Sequence, residues 1–373
     1  MSDHTPSPDQ APGAPHPRET VQLIGQDAAQ QAFLTAYNSD RLHHGWLLTG
    51  PRGVGKATLA WRIAQFLLAT PPSDDTGLFG APPPPGTLDI DLDHPITHRI
   101  HAGAEPGLAA ITRSVNDQGR LRNEIVVDDI RKLGRFFGLS SADGGRRVVI
   151  VDSADEMNVS AANALLKMLE EPPARTTLLL ISHQPSRLLP TIRSRCRTLR
   201  LAPLDPDDMQ AALAQTNTEV FGQTDHLAAL AAGSVGNAVR LINLGGLELY
   251  AELIAILGTL PRLDRQRALK LAETAAQRGA AEKFDLLLSL IDIALSRLAL
   301  TGATGAAPMP EAALNEAETL TRLSGSPRQA RHWAEVAALI TARTRHGQAV
   351  NLDPASLVLD TVFKIQEIAG HSR

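Results

Sequence analysis

Trp46-Leu47-Leu48-Thr49-Gly50-Pro51-Arg52-Gly53-Val54-Gly55-Lys56-Ala57 is the stretch on which the fold turns. A short apolar run ends in a glycine-rich turn. The turn opens onto Lys56 to Ala69, which reads as a helix stopped by Pro71 and Pro72. Strand, glycine-rich loop and helix in that order are the setting a phosphate-binding loop needs. Glycines let successive N–H groups turn inward on phosphate oxygens, and the helix N-terminus adds partial positive charge. Lys56 would neutralise the β- and γ-phosphates. Gly50, Gly53, Gly55 and Lys56 are therefore the expected nucleotide-binding residues. One position breaks the pattern. A Ser or Thr after the lysine would put a hydroxyl on Mg²⁺, and Ala57 has no ligating atom. Thr58 comes next, turned about 100° around the helix. The loop either holds ATP, with Mg²⁺ arriving only with it, or persists as a scaffold.

Outward from that loop, the chain alternates strands and helices. Val148-Val149-Ile150-Val151 is a β-branched run, as a strand buried on both faces should be. It ends in Asp152, the form of a Walker-B strand whose aspartate would hold the Mg²⁺ shell. A helix from about Ser160 to Glu171 stops at Pro172 and Pro173. Leu178 to Ile181 is a third buried strand, closed by Ser182. The alternation predicts a parallel sheet with helices on both faces. Residues 71–94 interrupt it with six prolines, five aspartates and no Lys or Arg, and read as an exposed acidic loop. After Pro203 strand signals vanish. Residues 203–246 read as short helices forming a small lid. Residues 247–373 read as helices throughout, with a Gly/Pro-rich break at 301–310. The expected division is a disordered tail (1–20), an α/β P-loop domain (21–202), a helical lid (203–246) and an all-α C-terminal domain (247–373).

Composition sets limits. The 373 residues are 43% hydrophobic and 20% charged, enough for a sizeable core. Aromatics at 3% argue against a stacking platform for single strands. A net charge of −4 argues against a basic nucleic-acid binder as a whole-chain property. The single cysteine, Cys196, excludes an internal disulfide framework and a zinc site built from several cysteines, and it fits a reducing cytoplasm. No targeting segment is expected in the proline-rich first 18 residues. Phe284 to Leu300 carries Asp285, Asp292 and Arg297 and spaces its apolar residues helically, so it reads as a core helix and not a membrane span.

Two segments carry a specific resemblance. Ala162-Asn163-Ala164-Leu165-Leu166-Lys167-Met168-Leu169-Glu170-Glu171-Pro172-Pro173 resembles a signature of clamp-loader AAA+ proteins. Leu189-Pro190-Thr191-Ile192-Arg193-Ser194-Arg195-Cys196 contains that family's Ser-Arg-Cys motif. With the P-loop they span residues 46–200 in the family's order. The chain is therefore identified as similar to the clamp-loader subunits of bacterial DNA polymerase III. The resemblance implies that the α/β domain is an AAA+ domain and that the C-terminal helices form an oligomerising collar. It implies that Arg195 projects into the nucleotide site of a neighbouring subunit as an arginine finger. Arg187, Arg193, Arg195, Arg197 and Arg200 lie close together without an intervening acid; read from residues alone, they are a solvated face or local ion pairs. Cys196 reads as a small packed residue and not a nucleophile.

The departures from the family pattern shape the functional expectation. Ser153 stands where AAA+ ATPases usually carry the glutamate that polarises water. Gly236, in Gly233-Ser234-Val235-Gly236-Asn237-Ala238, stands where motor subunits carry a lid arginine. With Ala57, three catalytic positions are damaged while Arg195 is intact. The resemblance then implies an accessory, non-motor subunit in an open heteropentamer with tau/gamma and delta subunits, meeting the sliding clamp and primed DNA through the complex. Two alternatives stay open: an active tau/gamma-type ATPase rescued by Thr58 and a nearby acid such as Asp155 or Glu156, and a binding-only AAA+ scaffold in repair or recombination. Several family members carry a cysteine-rich zinc module after the first P-loop helix. This chain has no cysteine there, only His94, His98 and His101, so no zinc is expected.

Overall fold

Strand β1 (Gly45–Thr49) is buried at every residue, as its unbroken apolar run requires. It is hydrogen-bonded in parallel to two later strands, β4 (Thr176–Ser182) and β5 (Arg197–Arg200). Strands β2 (Leu108–Ile111) and β3 (Arg147–Asp152) extend the sheet beyond β4, also in parallel. The order is β2-β3-β4-β1-β5. This computed structural model describes residues 8–11, 14–39, 41–70, 83–138, 145–216, 224–277 and 279–371.

The order has a functional consequence. From β1 the chain crosses to β2 at one edge, and from β4 it crosses to β5 at the other. The adjacent strands β4 and β1 therefore send their connections in opposite directions. In open α/β sheets such a switch leaves a crevice beyond the strands' C-terminal ends. The register sets Thr49 opposite Ser182 and Asp152 opposite Ile181. The ends of β1, β3 and β4 thus converge at one edge.

Helices cover both faces. On one, Leu47, Val149, Val151, Leu178 and Leu180 pack against α4 (Val127–Gly138) and α5 (Val159–Glu170), numbered after α1 (Asp27–Asn38), α2 (Lys56–Ala69) and α3 (Pro95–His101). On the other, α1 sets Phe33 against Trp46 with ring centroids 5.0 Å apart, and α2 packs on β3 and β4. The parallel sheet with helices on both faces expected from sequence is thus the one observed, and α2 keeps its expected limits. Helices α6 (Pro190–Ser194) and α7 (Pro206–Ala214) follow.

Some expectations need correction. Disorder through residue 20 fails for residues 16–20. His16 is buried, meets Asp9 at 3.1 Å and lies edge-on to Trp61 of α2, and Pro17–Glu19 form a 3₁₀ turn against that helix. Residues 1–7 lie outside the described residues, as do 71–82 of the acidic loop. The described remainder of that loop is not wholly exposed, because Leu88 is buried and Asp89 pairs with Arg62.

Two compact units divide the chain: Met1–Asn217 with Gly233–Gly236, and Thr218–Ala232 with Asn237–Arg373. Residues 203–246 are shared between them. The second unit is helical wherever it has regular structure: α8 (Thr224–Ala231), α9 (Val235–Asn243, from Asn237 onward), α10 (Gly246–Gly258), α11 (Arg265–Ala275), α12 (Ala281–Thr304), α13 (Glu316–Leu323), α14 (Pro327–Ala349) and α15 (Pro354–His371). Helix α12 is long and apolar enough to cross a membrane, but Phe284, Leu287, Leu288, Ile291, Leu295 and Leu298 are all buried in this unit. It packs on α14. It runs through Thr301–Thr304, so the predicted break at 301–310 begins only at Gly305, whose φ of 76° ends the helix. Beyond it, buried Glu316 accepts from Tyr250 Oη at 2.5 Å and Ala312 N at 2.5 Å, and pairs with Arg297 Nε at 2.7 Å and Nη2 at 2.9 Å.

Candidate functional site

The loop between β1 and α2 is shaped by glycines at left-handed or otherwise positive φ: Gly50 (147°), Gly53 (77°) and Gly55 (99°). Only glycine enters these conformations freely. At Gly50 a Cβ would also strike the backbone oxygen of Leu201. Lys56, the first residue of α2, is buried. Its Nζ donates to Gly50 O at 2.7 Å and to Pro51 O. The ammonium is thus directed at the loop's own carbonyls. Burial lowers its pKa to about 8, against the raising pull of Asp152 and then Asp155. Thr58 is half-buried two residues further along α2.

Segment Gly233–Gly236 closes on this loop from within the same unit. Ser234 Oγ donates to Arg52 O at 2.8 Å, and Gly236 N donates to Gly53 O at 3.1 Å. A Cβ on Gly236 would lie 3.0 Å from Gly53 Cα. The approach favours glycine at both positions. An arginine at 236 would force this close approach to open by a few tenths of an ångström, which gives Gly236 a packing reason beyond the loss of a charge.

Asp152 lies at the end of β3. Burial raises its pKa to about 6, opposed by the Ser153 Oγ hydrogen bond to Oδ1 at 3.0 Å. Ser153 Oγ also lies 2.9 Å from His183 Nε2. The hydroxyl has one proton. If it goes to Asp152, His183 Nε2 carries the hydrogen towards Ser153, and Nδ1 is left as an acceptor. That atom is buried with no hydrogen-bond partner among the described residues, as is Ser182 Oγ. Burial, reinforced by Lys56 and Arg52, lowers the His183 pKa to about 4, so the ring is neutral near pH 7. Sequence reasoning missed His183. Its only signal was its place directly after the strand-end serine.

The two acids that could have replaced the missing general base are otherwise engaged. Asp155 accepts from His183 N at 3.0 Å and Gln184 N at 3.1 Å. Glu156 pairs with Arg113 at 2.9 Å and Arg52 at 3.4 Å. Each carboxylate is thus committed to partners of its own chain.

Asp152 gives a pH-dependent prediction. Its folded pKa of about 6 lies above the ordinary 3.8. Ionisation therefore costs the fold nothing below about pH 4, progressively more up to pH 6, and a constant amount above it. At about 1.4 kcal/mol per unit the penalty is at most roughly 3 kcal/mol. Asp152→Asn is expected to stabilise the chain by about 1–3 kcal/mol at pH 8 and clearly less at pH 5, by urea unfolding. An equal gain at both pH values, or a loss at pH 8, contradicts the burial argument.

Arg195 lies elsewhere. It caps α6 at the N-terminal edge of the sheet, where its backbone oxygen approaches Gly45, the first residue of β1. The P-loop begins at the other end of that strand. Four strand steps of about 3.3 Å put roughly 13 Å between these ends. Arg195 Nη2 pairs with Glu170 Oε1 at 2.9 Å, and Nη1 donates to Thr191 O at 3.2 Å. Glu170 is exposed and keeps this partner at the surface. Of the neighbouring arginines, Arg197 covers Trp46 with its guanidinium 5.3 Å from the ring centroid. Cys196 packs against the apolar face of the sheet, and burial pushes its thiol up to about 12, far from a reactive thiolate. His94 is used as the N-cap of α3, accepting from Ile96 N at 3.1 Å. Among the described residues no group of three or more His, Cys, Asp or Glu is disposed to hold a metal ion.

Comparison with known proteins points one way. Residues 25–205 match the family described as "DNA polymerase III, delta subunit". The delta' subunit of DNA polymerase III from Pseudomonas aeruginosa is 36% identical over 60% of this chain and 64% of its own length. The delta' subunit from Escherichia coli is 32% identical over 57% of this chain and 58% of its own. The E. coli tau subunit is 28% identical over 75% of this chain and 41% of its own. The chain thus spans less than two thirds of each of these relatives.

Proposed function

Residues 25–205 match the DNA polymerase III delta-subunit family, and we propose that this chain is an accessory, non-motor subunit of a clamp-loading complex. It donates Arg195 to the ATP site of a neighbouring tau/gamma-type subunit, with a delta-type subunit also in the assembly. The complex opens the sliding clamp and loads it on primed DNA in the cytoplasm. Any polymerase activity belongs to the larger assembly.

One observation carries this reading. Arg195 is at the N-terminal edge of the sheet, a strand's length from its own P-loop. It cannot reach a phosphate bound on its own chain, so a phosphate-binding role has to be exercised in trans. The state of the P-loop supports the non-motor half. Ala57 offers no Mg²⁺ ligand, Lys56 is turned to its own loop, Ser153 stands where a glutamate would polarise water, and Gly236 carries no side chain. Rescue by Asp155 or Glu156 is disfavoured by their contacts. ATP at Gly50, Gly53, Gly55, Lys56, Thr58 and Asp152 would then be weak and unproductive, with Mg²⁺ entering only alongside it.

The composition of the native assembly tests this reading against a scaffold in repair. Tagged chain purified from its own cells at modest salt should have a native mass of one copy with several tau/gamma-type subunits and one delta-type subunit. A homo-oligomer, or a complex without replication subunits, overturns the proposal.

A further inference from the structure

The arginine proposed to act in trans is held in place by a carboxylate of its own chain. Glu170 is the last residue of α5, where the helix macrodipole is negative. A carboxylate at that pole is electrostatically unfavourable unless a cation answers it. Arg195 does so at 2.9 Å, from α6, a separate element. Thr191 O takes a second guanidinium N–H at 3.2 Å. These two contacts use two of the five N–H donors of an arginine. They fix the plane of the guanidinium while leaving donors to face outward. The elements that carry the two side chains are themselves fixed to one another. His44 Nε2 lies 2.9 Å from Leu169 O at the end of α5, and beside it a Cβ on Gly45 would lie 3.0 Å from Leu169 Cδ2 and 3.1 Å from Arg195 O, so both elements pack closely on the start of β1.

We infer that Glu170 is a positioning residue for the Arg195 finger, orienting its guanidinium towards the polyphosphate of a neighbouring subunit through the Glu170–Arg195 pair. The inference rests on the trans role proposed above. The physical basis is orientation. A flexible arginine has many rotamers to lose on meeting a phosphate, and one already held in a plane loses fewer. Glu170 does not touch the reacting atoms. Its removal should lower the rate of the step in which phosphate charge develops, and should leave the affinity for ATP, set mainly by the neighbour's own loop, unaltered.

The experiment is a double-mutant cycle in the reconstituted complex, reading clamp- and DNA-stimulated ATP turnover for the unmodified chain, Glu170→Gln, Arg195→Ala and the combination. Glu170→Gln is expected to lower kcat about three- to tenfold with KM for ATP unchanged. Glu170→Asp should recover part of the loss. In the combination, the Glu170 change should add nothing to the loss from Arg195→Ala. Both side chains are more than a third exposed, so thermal unfolding of Glu170→Gln should match the unmodified chain, which separates positioning from misfolding. Unchanged turnover for Glu170→Gln, or losses that multiply in the combination, overturn the positioning role and leave the finger intact. A rise in turnover means that Glu170 restrains the finger, and also overturns it. No effect of Arg195→Ala removes the finger and the positioning role together.

Discussion

Arg195→Ala is expected to abolish the contribution of one ATP site in the reconstituted complex while leaving this chain folded and assembled. An arginine finger supplied in trans contributes on the order of 10³-fold or more to phosphoryl transfer. The chain carries one such residue, so one neighbouring site loses its finger. Total stimulated turnover should fall at least by that site's share, and further if the sites fire together. The fold should tolerate the change. Arg195 is over a third exposed, and its lost contacts are one half-exposed ion pair and one carbonyl hydrogen bond. Exposed pairs of this kind are worth about 0–1 kcal/mol. Arg197→Ala is the useful contrast, because that guanidinium covers Trp46. Its loss should register in stability before it registers in turnover. Turnover unchanged by Arg195→Ala contradicts the trans role.

The second large effect lies in the C-terminal unit. Glu316→Ala is expected to destabilise that unit by about 3–5 kcal/mol. The carboxylate is fully buried and satisfies four donors: Tyr250 Oη, Ala312 N, and Nε and Nη2 of Arg297. Removing it leaves a largely buried guanidinium without its counter-charge and a buried phenol and amide without their acceptor. The same Arg297 Nη2 also holds Pro308 O and Pro310 O at 3.0 Å each, so the connection from α12 to α13 loosens with it. Burial beside the Glu316 carboxylate raises the Tyr250 pKa well above its usual value, so the phenol stays a donor throughout the accessible pH range. Glu316→Gln keeps the shape and part of the bonding, and should cost clearly less. For a unit of this size a loss of several kcal/mol lowers Tm by roughly 10 °C. A shift of under 2 °C for Glu316→Ala, read by calorimetry, contradicts this reading of the cluster.

The α/β half of the fold was legible because its signals are local. β-branched and leucine runs mark β1, β3 and β4, and prolines mark the end of α2. Strands β2 and β5 were missed for a physical reason. Both lie at sheet edges and are short: β5 exposes Arg197, Thr198 and Arg200 and carries no apolar run, and β2 (Leu108-Ala109-Ala110-Ile111), though apolar, has only one β-branched residue and buries only Ile111. The P-loop glycines could be read from spacing alone, but the direction of the Lys56 ammonium could not. It depends on Gly50 and Pro51 carbonyls whose orientation is set by the fold. The commitments of Asp155 and Glu156 were hidden for the same reason. Their partners lie 28 and 29 residues away for Asp155, and 43 and 104 away for Glu156. The packing of Gly236 on Gly53 spans a still larger gap in sequence. What looked like the loss of an arginine is also a close approach that favours having no side chain.

The central claim is that this chain completes a neighbour's site and does not turn over ATP itself. Steady-state ATP hydrolysis measured in parallel tests it most directly, on the isolated chain, the complete complex, and the complex carrying Arg195→Ala. The account predicts no turnover above background from the isolated chain, stimulated turnover from the complex, and a marked loss in the variant. Turnover by the isolated chain at a rate comparable with the complex would contradict it.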